Sequence, residues 1–318
     1  MIDARTAGKG RTYTRREILA LAAGAGVAAA LPFGQARAAT GPVLTRPIPR
    51  TGERLPVVGL GTAIIFDIGD DAAKRAERRA VIQAMIDGGG RLIDTAPSYG
   101  TAEAVVGDLL SSMAARDRIF LATKVRADSH SESLAQMDDS LKRLRTAKVD
   151  LMQLHNVSDA KTELRTLREW QQKGYTRHIG VTHFQAGANE RLAEVIRREK
   201  PEFLQINYSL AERSVEERLL PLAADNGTAV LVNLPFGRGK LFSAVRGRAL
   251  PEWAKEFDAT SWGQFFLKYL LAHPAVTCVI PGTDKAEYML DNLDAARGRL
   301  PDAATRRKMV EFWNSLGT

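Results

Sequence analysis

One cysteine, Cys278, serves the whole chain of 318 residues. No intramolecular disulfide is possible, so stability must come from a packed core. The cysteine sits in the β-branched run "AVTCVIPG" (275–282) and reads as a small buried thiol rather than a reactive one. Histidine is scarce, with five in all. No pair has a ligand spacing such as H-E-x-x-H and no other cluster suggests zinc, so no metal site is expected. No Lys/Arg run is interleaved with aromatics, which argues against a nucleic-acid partner despite a formal charge of +8. Half of that charge lies in the first 39 residues, where six basic residues oppose two acidic ones for a net of +4. No G-x-G-x-x-G follows a strand, because "GLGTAI" (59–64) lacks the spacing. A Rossmann half-domain is therefore not implied. Long apolar runs are missing after the N-terminal segment, so the mature chain is expected to carry no stable membrane span.

What is present begins with a targeting segment. "TRREIL" (14–19) sets Arg15 and Arg16 before the uncharged "ALAAGAGVAAALPF" (20–33), and "ARA" (36–38) supplies small-x-small residues. A basic region, a modest apolar core and a cleavage signal predict an export signal over 1–38, of the twin-arginine type. The expected partner is the twin-arginine export machinery and the expected location is periplasmic. Residues 39–318 then form a single domain. A composition of 45% hydrophobic and 26% charged residues is that of a globular protein and excludes a disordered one.

Beyond residue 40 short β-rich runs alternate with longer helical stretches. The runs are "VVGLGT" (57–62), "RLIDTA" (91–96), "RIFLATKV" (118–125), "VDLMQLH" (149–155), "RHIGVTH" (177–183), "EFLQINY" (202–208), "TAVLVNL" (228–234) and "AVTCVIPG". Segments such as 71–89, 131–144 and 161–174 between them have helical periodicity. Continuous apolar strands point to a parallel sheet buried on both faces. Eight β-then-α units favour a closed (β/α)8 TIM barrel. "RPIPRTGERLP" (46–56) predicts a hairpin plugging the barrel's N-terminal end, and 302–316 an additional helix.

In such a barrel the functional face lies where the strands end. Run two ends at Asp94, with Tyr99 in the next loop; run three reaches Lys124; run four ends at His155. A carboxylate, a phenol, an amine and an imidazole thus leave three neighbouring strands at one level. An ammonium beside a phenol favours the phenolate and strengthens the acid. A carboxylate keeps the buried ammonium charged, and an imidazole can donate to the same substrate oxygen. The set suits protonation of a carbonyl oxygen as charge develops on it.

At these residues the sequence resembles the aldo-keto reductases, from about residue 46 to the C-terminus. "GLGT" (59–62), "IDTAPSYG" (93–100), "ATK" (122–124), "LHN" (154–156), "IGVTHF" (179–184), "LQINYS" (204–209), "PFGRG" (235–239) and "VIPGT" (279–283) follow that family's order. The resemblance implies hydride transfer from a nicotinamide cofactor to a small carbonyl substrate, an aldehyde or ketone. Tyr99 would be the proton donor, supported by Asp94, Lys124 and His155. A cofactor-binding sensor or partner subunit on the same barrel is the alternative.

The implied cofactor lies extended across the barrel mouth. Its contacts fall on Gly61, Thr62 and Asp94, then on Thr182, His183 and Gln205. Asn233, Pro235 and Gly237 follow on the seventh unit, and Gly282, Thr283, Lys285 and Asn292 on the eighth. Thr182-His183 departs from the family's Ser-Asn or Thr-Asn, and Asn233 replaces a tyrosine that stacks on the nicotinamide in many members. Many relatives bind the cofactor's 2′-phosphate with a Lys and an Arg where this chain has Gly282 and Tyr288. Lys285 and Thr283 remain as phosphate partners, with Asp284 opposing them. NADP(H) is accordingly expected over NAD(H), with weak discrimination. Phe66, Asp67, Trp253 and Phe257 read equally as substrate-pocket residues or as plain loop packing, whereas His130, His178 and His273 are expected to be structural or solvated.

Overall fold

The structure, a computed structural model, describes residues 41–126, 129–157 and 160–317. The expected export signal over 1–38 lies outside the described residues. The described part belongs to one compact unit. A hairpin comes first, with β1 (Thr45–Pro47) antiparallel to β2 (Arg54–Pro56). Eight parallel strands follow in chain order: β3 (Leu60–Gly61), β4 (Leu92–Asp94), β5 (Phe120–Val125), β6 (Val149–His155), β7 (Thr176–His183), β8 (Phe203–Asn207), β9 (Ala229–Asn233) and β10 (Val276–Val279). Bridges Val58–Val279 and Gly61–Gly282 join the first strand to the last. The sheet is thus a (β/α)8 barrel.

The first strand is shorter than its apolar run. Only Leu60–Gly61 is regular, and the rest of 57–62 reaches β10 through single contacts such as Gly59 N–H to Val279 O at 2.9 Å. Gly61 allows this closure, because a Cβ there would lie 2.7 Å from the Ile280 carbonyl oxygen.

The helices α1 (Ala72–Asp87), α2 (Ala102–Ser112), α3 (His130–Arg143), α4 (Ala160–Gln172), α5 (Asn189–Glu199), α6 (Leu219–Asp225), α7 (Lys240–Ala244), α8 (Trp262–Leu271) and α9 (Ala286–Asp294) follow the strands, and α10 (Ala303–Ser315) is the expected extra helix. Several start at a side-chain cap that satisfies a free backbone N–H. Asp71, Ser129, Ser261 and Asp302 accept from Lys74, Glu132, Gln264 and Thr305 respectively. None of the helices among the described residues is long and apolar enough to cross a membrane.

The core has two parts, and strand geometry separates them. Successive strand side chains point to opposite faces, so i and i+2 share one. Ile93, Leu121 and Met152 face the helices, while Leu92, Phe120, Leu151, Phe203 and Leu231 fill the barrel interior with Cys278. Ile48 and Leu55 of the hairpin enter that inner cluster with no exposed surface, closing the N-terminal end as expected. Burial drives the Cys278 thiol well above its ordinary pKa. It is held as the thiol and stays inert. Counting on by two along the same face leads from this apolar layer to the mouth: Leu92 to Asp94, Phe120 to Lys124, Leu151 to Gln153 and His155, Phe203 to Gln205, Leu231 to Asn233. Polar side chains therefore stack on an apolar plug.

Candidate active site

Lys124 and Asp94 meet at this upper level, almost wholly out of water, with 1% and 3% exposure. The Lys124 ammonium donates to Asp94 Oδ2 at 2.7 Å and to the Thr95 carbonyl at 2.9 Å. Gln153 Nε2 donates to the other carboxylate oxygen at 3.3 Å. Burial alone would lower the lysine's pKa, but the Asp94 charge and then Tyr99 outweigh it, and the value lies above that of an ordinary lysine. The amine is held protonated.

Lys124 Nζ lies 4.8 Å from the centre of the Tyr99 ring. His155 stands edge-on to the same ring, with centroids 5.9 Å apart and planes at 89°. His155 Nδ1 is 3.4 Å from the Ser98 hydroxyl. Its pKa falls from 6.5 to about 3 through burial first, then the charges of Lys124, Arg126 and His183. The imidazole is therefore neutral and carries a single N–H. The sign follows from linkage. An unfolded chain protonates this histidine near 6.5 and the folded one only near 3, so its contribution to stability is lost as pH falls through that window.

These four residues border a cavity of about 990 Å³ at the barrel mouth. Gly61, Thr62 and Gly282 form one wall; Thr182, Gln205 and Asn233 lie on the floor, with Pro235 above. Gln205 is 1% exposed, yet among the described residues neither its side-chain N nor its O has a hydrogen-bond partner, and Asn233 Oδ1 is unpaired as well. A buried polar atom left unpaired costs about 1–3 kcal/mol. A ligand carrying both amide donors and acceptors would satisfy all three, so the residues present fit a nicotinamide carboxamide.

Other expected residues stand off the cavity. His183 accepts the Gln185 N–H on Nδ1 at 3.1 Å, and its ring stacks on Phe184. Burial, then Arg191 and Arg126, lower its pKa. Gly237 turns the loop with φ +56° but does not line the cavity. Thr283 Oγ1 is 3.4 Å from the Lys285 N–H. Lys285 itself points to Glu287, at 4.0 Å, and to the Tyr288 ring. Asn292 is buried within α9.

None of the four substrate-pocket candidates lines the cavity. Phe66 is fully buried in the outer core. Asp67 is a local clamp, accepting from the Thr101 N–H and hydroxyl at 2.9 Å each, and these bonds lower its pKa. Trp253 and Phe257 pack on Phe265, with centroids 5.5 and 5.7 Å away. The apolar wall comes instead from Ile64, Ile65, Phe184, Phe236 and Phe242. Of the other histidines, His178 pairs with Glu202 at 2.5 Å among Phe120 and Phe203, His130 meets Thr166, and His273 accepts the Ala275 N–H.

Ser98, Arg126, Gln136, Gln153 and Arg238 also shape the site, and motif reading did not single them out. Two carried a signal: Gln153 precedes His155 by two on one strand, and Arg126 follows Lys124 by two, so each shares its neighbour's face.

The sequence model of the family described as "Aldo/keto reductase family" matches residues 57–307. Aldo-keto reductase YhdN of Bacillus subtilis is 30% identical over 65% of this chain and 65% of its own length. Methylglyoxal reductase YeaE of Escherichia coli is 28% identical, covering 71% of this chain and 80% of the relative. A crystal structure of an aldo/keto reductase from Klebsiella pneumoniae, in complex with NADP and acetate, superposes with a TM-score of 0.70 at 25% identity. That match covers 82% of this chain and 93% of the other.

Proposed function

The chain belongs to the aldo/keto reductase family, and from that premise we propose that it is an NAD(P)H-dependent carbonyl reductase in which Tyr99 protonates the oxygen of an aldehyde or ketone. The observation that carries this is the buried Asp94–Lys124 pair set against the Tyr99 ring, with a neutral His155 at its edge. Asp94 and the Thr95 carbonyl fix the ammonium in place. That fixed charge stabilises the negative charge a phenol develops as its proton leaves. His155, uncharged, is able to donate its one N–H to the same oxygen without competing as an acid. Ser98 and the Tyr99 ring hold the imidazole in its orientation.

A bound nicotinamide dinucleotide would supply the hydride. Gln205 and Asn233, with Thr182 beside them, would take its carboxamide, since their unpaired atoms otherwise cost stability. Thr62 donates its hydroxyl to the Asp94 carbonyl at 2.9 Å, tying the cofactor-side wall to the strand that bears the carboxylate. The test is cofactor oxidation by the purified protein against a panel of aldehydes and ketones. Methylglyoxal belongs in it, because a relative is named for its reduction. Tight cofactor binding without turnover of any member would point to the sensor alternative.

For cofactor choice we propose NADPH over NADH, by less than about 100-fold in kcat/KM. On the eighth unit the Lys285 ammonium, already near Glu287 and Tyr288, and the Thr283 hydroxyl remain to meet a 2′-phosphate. A single charge-assisted contact is worth about 1.5–3 kcal/mol, or about 10- to 150-fold. Lys285→Ala should erase most of the preference. A ratio above about 1,000-fold, near 4 kcal/mol, would show that another cation does the work.

We also propose that Arg15 and Arg16 direct export. Replacing both by Lys should leave the precursor in the cytoplasmic fraction, and unchanged fractionation would refute the twin-arginine route.

A further inference from the structure

Four charged side chains line the cavity: Asp94, Lys124, Arg126 and Arg238. The first two neutralise each other at 2.7 Å. Two guanidinium groups remain, and among the described residues neither is paired with a carboxylate. They stand on different sides of the mouth. Arg238 lies in the loop after β9, over the face of Phe184 at 5.9 Å, next to Pro235 and Gly237 on the proposed cofactor tract. Arg126 directly follows β5, four strands away in the ring, two residues after Lys124.

Arg126 is also held for use. Gln136 accepts its backbone N–H at 2.7 Å and donates to its carbonyl at 3.0 Å. That clamp fixes the main chain and leaves the exposed guanidinium unengaged. It lines the same cavity as Lys124 and His155, from the end of the strand that carries Lys124. The cavity that Arg126 lines also carries apolar side chains, Ile64, Phe184 and Phe242 among them. A ligand with a short apolar body and one anionic end would match that surface.

We propose that Arg126 binds an anionic group, carboxylate or phosphate, at the far end of the carbonyl substrate, so that the enzyme favours anionic aldehydes and ketones over neutral ones. This rests on the reductase reading above. A planar guanidinium grips such a group through two parallel hydrogen bonds.

The experiment compares butanal with succinic semialdehyde, which differ only in bearing a methyl or a carboxylate at the end away from the aldehyde. Wild-type protein should favour the semialdehyde in kcat/KM. In Arg126→Ala the ratio of the two should fall by about 10- to 150-fold. Arg126→Lys should recover part of it, because charge is kept and the bidentate fork is lost. A ratio unchanged within about twofold overturns the proposal. So does an NADPH Kd that weakens by the same factor as the ratio, since Arg126 would then serve the cofactor. Calorimetric titration of succinate into the NADPH-loaded protein is the second measurement. Binding by the wild type and its loss in Arg126→Ala support the assignment, and equal binding by both defeats it. Should no aldehyde or ketone of the panel turn over, the reductase reading fails on its own and the succinate titration decides the role of Arg126.

Discussion

Tyr99→Phe should lower kcat by about 100-fold or more, because general acid catalysis is typically worth about 100- to 10,000-fold. The change deletes one oxygen and keeps the ring that packs edge-on against His155 and lies over Lys124. The Lys124–Asp94 contact and the unpaired amide atoms of the floor are not made by that hydroxyl, so cofactor Kd should stay within about twofold. Loss in kcat with binding retained is the signature of an interaction made only in the transition state. Single-turnover kinetics with NADPH and an active aldehyde read it directly. Retention of more than about a tenth of the wild-type rate would assign the proton to another donor, with His155 the next group to test.

Lys124→Met should cost both stability and activity, and the two losses can be separated. The substitution keeps length and removes charge, leaving Asp94 almost wholly buried with Gln153 as its remaining side-chain partner. Breaking a buried pair by deleting one member costs about 3–5 kcal/mol, because the surviving charge is uncompensated. Urea unfolding of the variant should show this as a lower midpoint with an unchanged slope. Adding Asp94→Asn removes the stranded charge and should restore most of the stability while activity stays low. That divergence is the useful result. A double variant as unstable as the single one would mean that lost packing, and not the unmatched carboxylate, sets the cost.

Some of the site was legible because strand geometry is local. Leu92 lies in the apolar plug, so Asp94, two residues on, had to face the same interior nearer the mouth. The same rule carries Phe120 to Lys124, Leu151 to His155 and Phe203 to Gln205. The aromatics of the loops obeyed no such rule. Trp253 and Phe257 read equally as pocket or packing residues in the sequence, and in the fold they pack against Phe265 and the C-terminal helix residue Phe312. Phe184 and Phe242 carry no periodic signal, yet they line the cavity. Loop direction here is set by backbone that side-chain patterns do not encode. Ile64, Leu234 and Arg238 all take positive φ, at 70°, 49° and 56°. For a β-branched residue such as Ile64 that conformation is strained by about 1–3 kcal/mol.

The sequence by itself determined the eight parallel strands, the hairpin that closes one end, and the set Asp94, Tyr99, Lys124 and His155 at the other. Each follows from short-range periodicity, turn residues and the fixed polarity of β-then-α units. Only the tertiary structure decided that the Lys124 ammonium meets Asp94 and Thr95 together, that Gln205 and Asn233 keep unpaired atoms on a common floor, and that Arg126 faces the cavity unpaired while Lys285 turns toward Glu287 and Tyr288. Those outcomes depend on which strand ends become neighbours once Val58 bridges Val279 and the ring closes. Closure is a long-range event, and it sets distances between side chains that no local spacing contains.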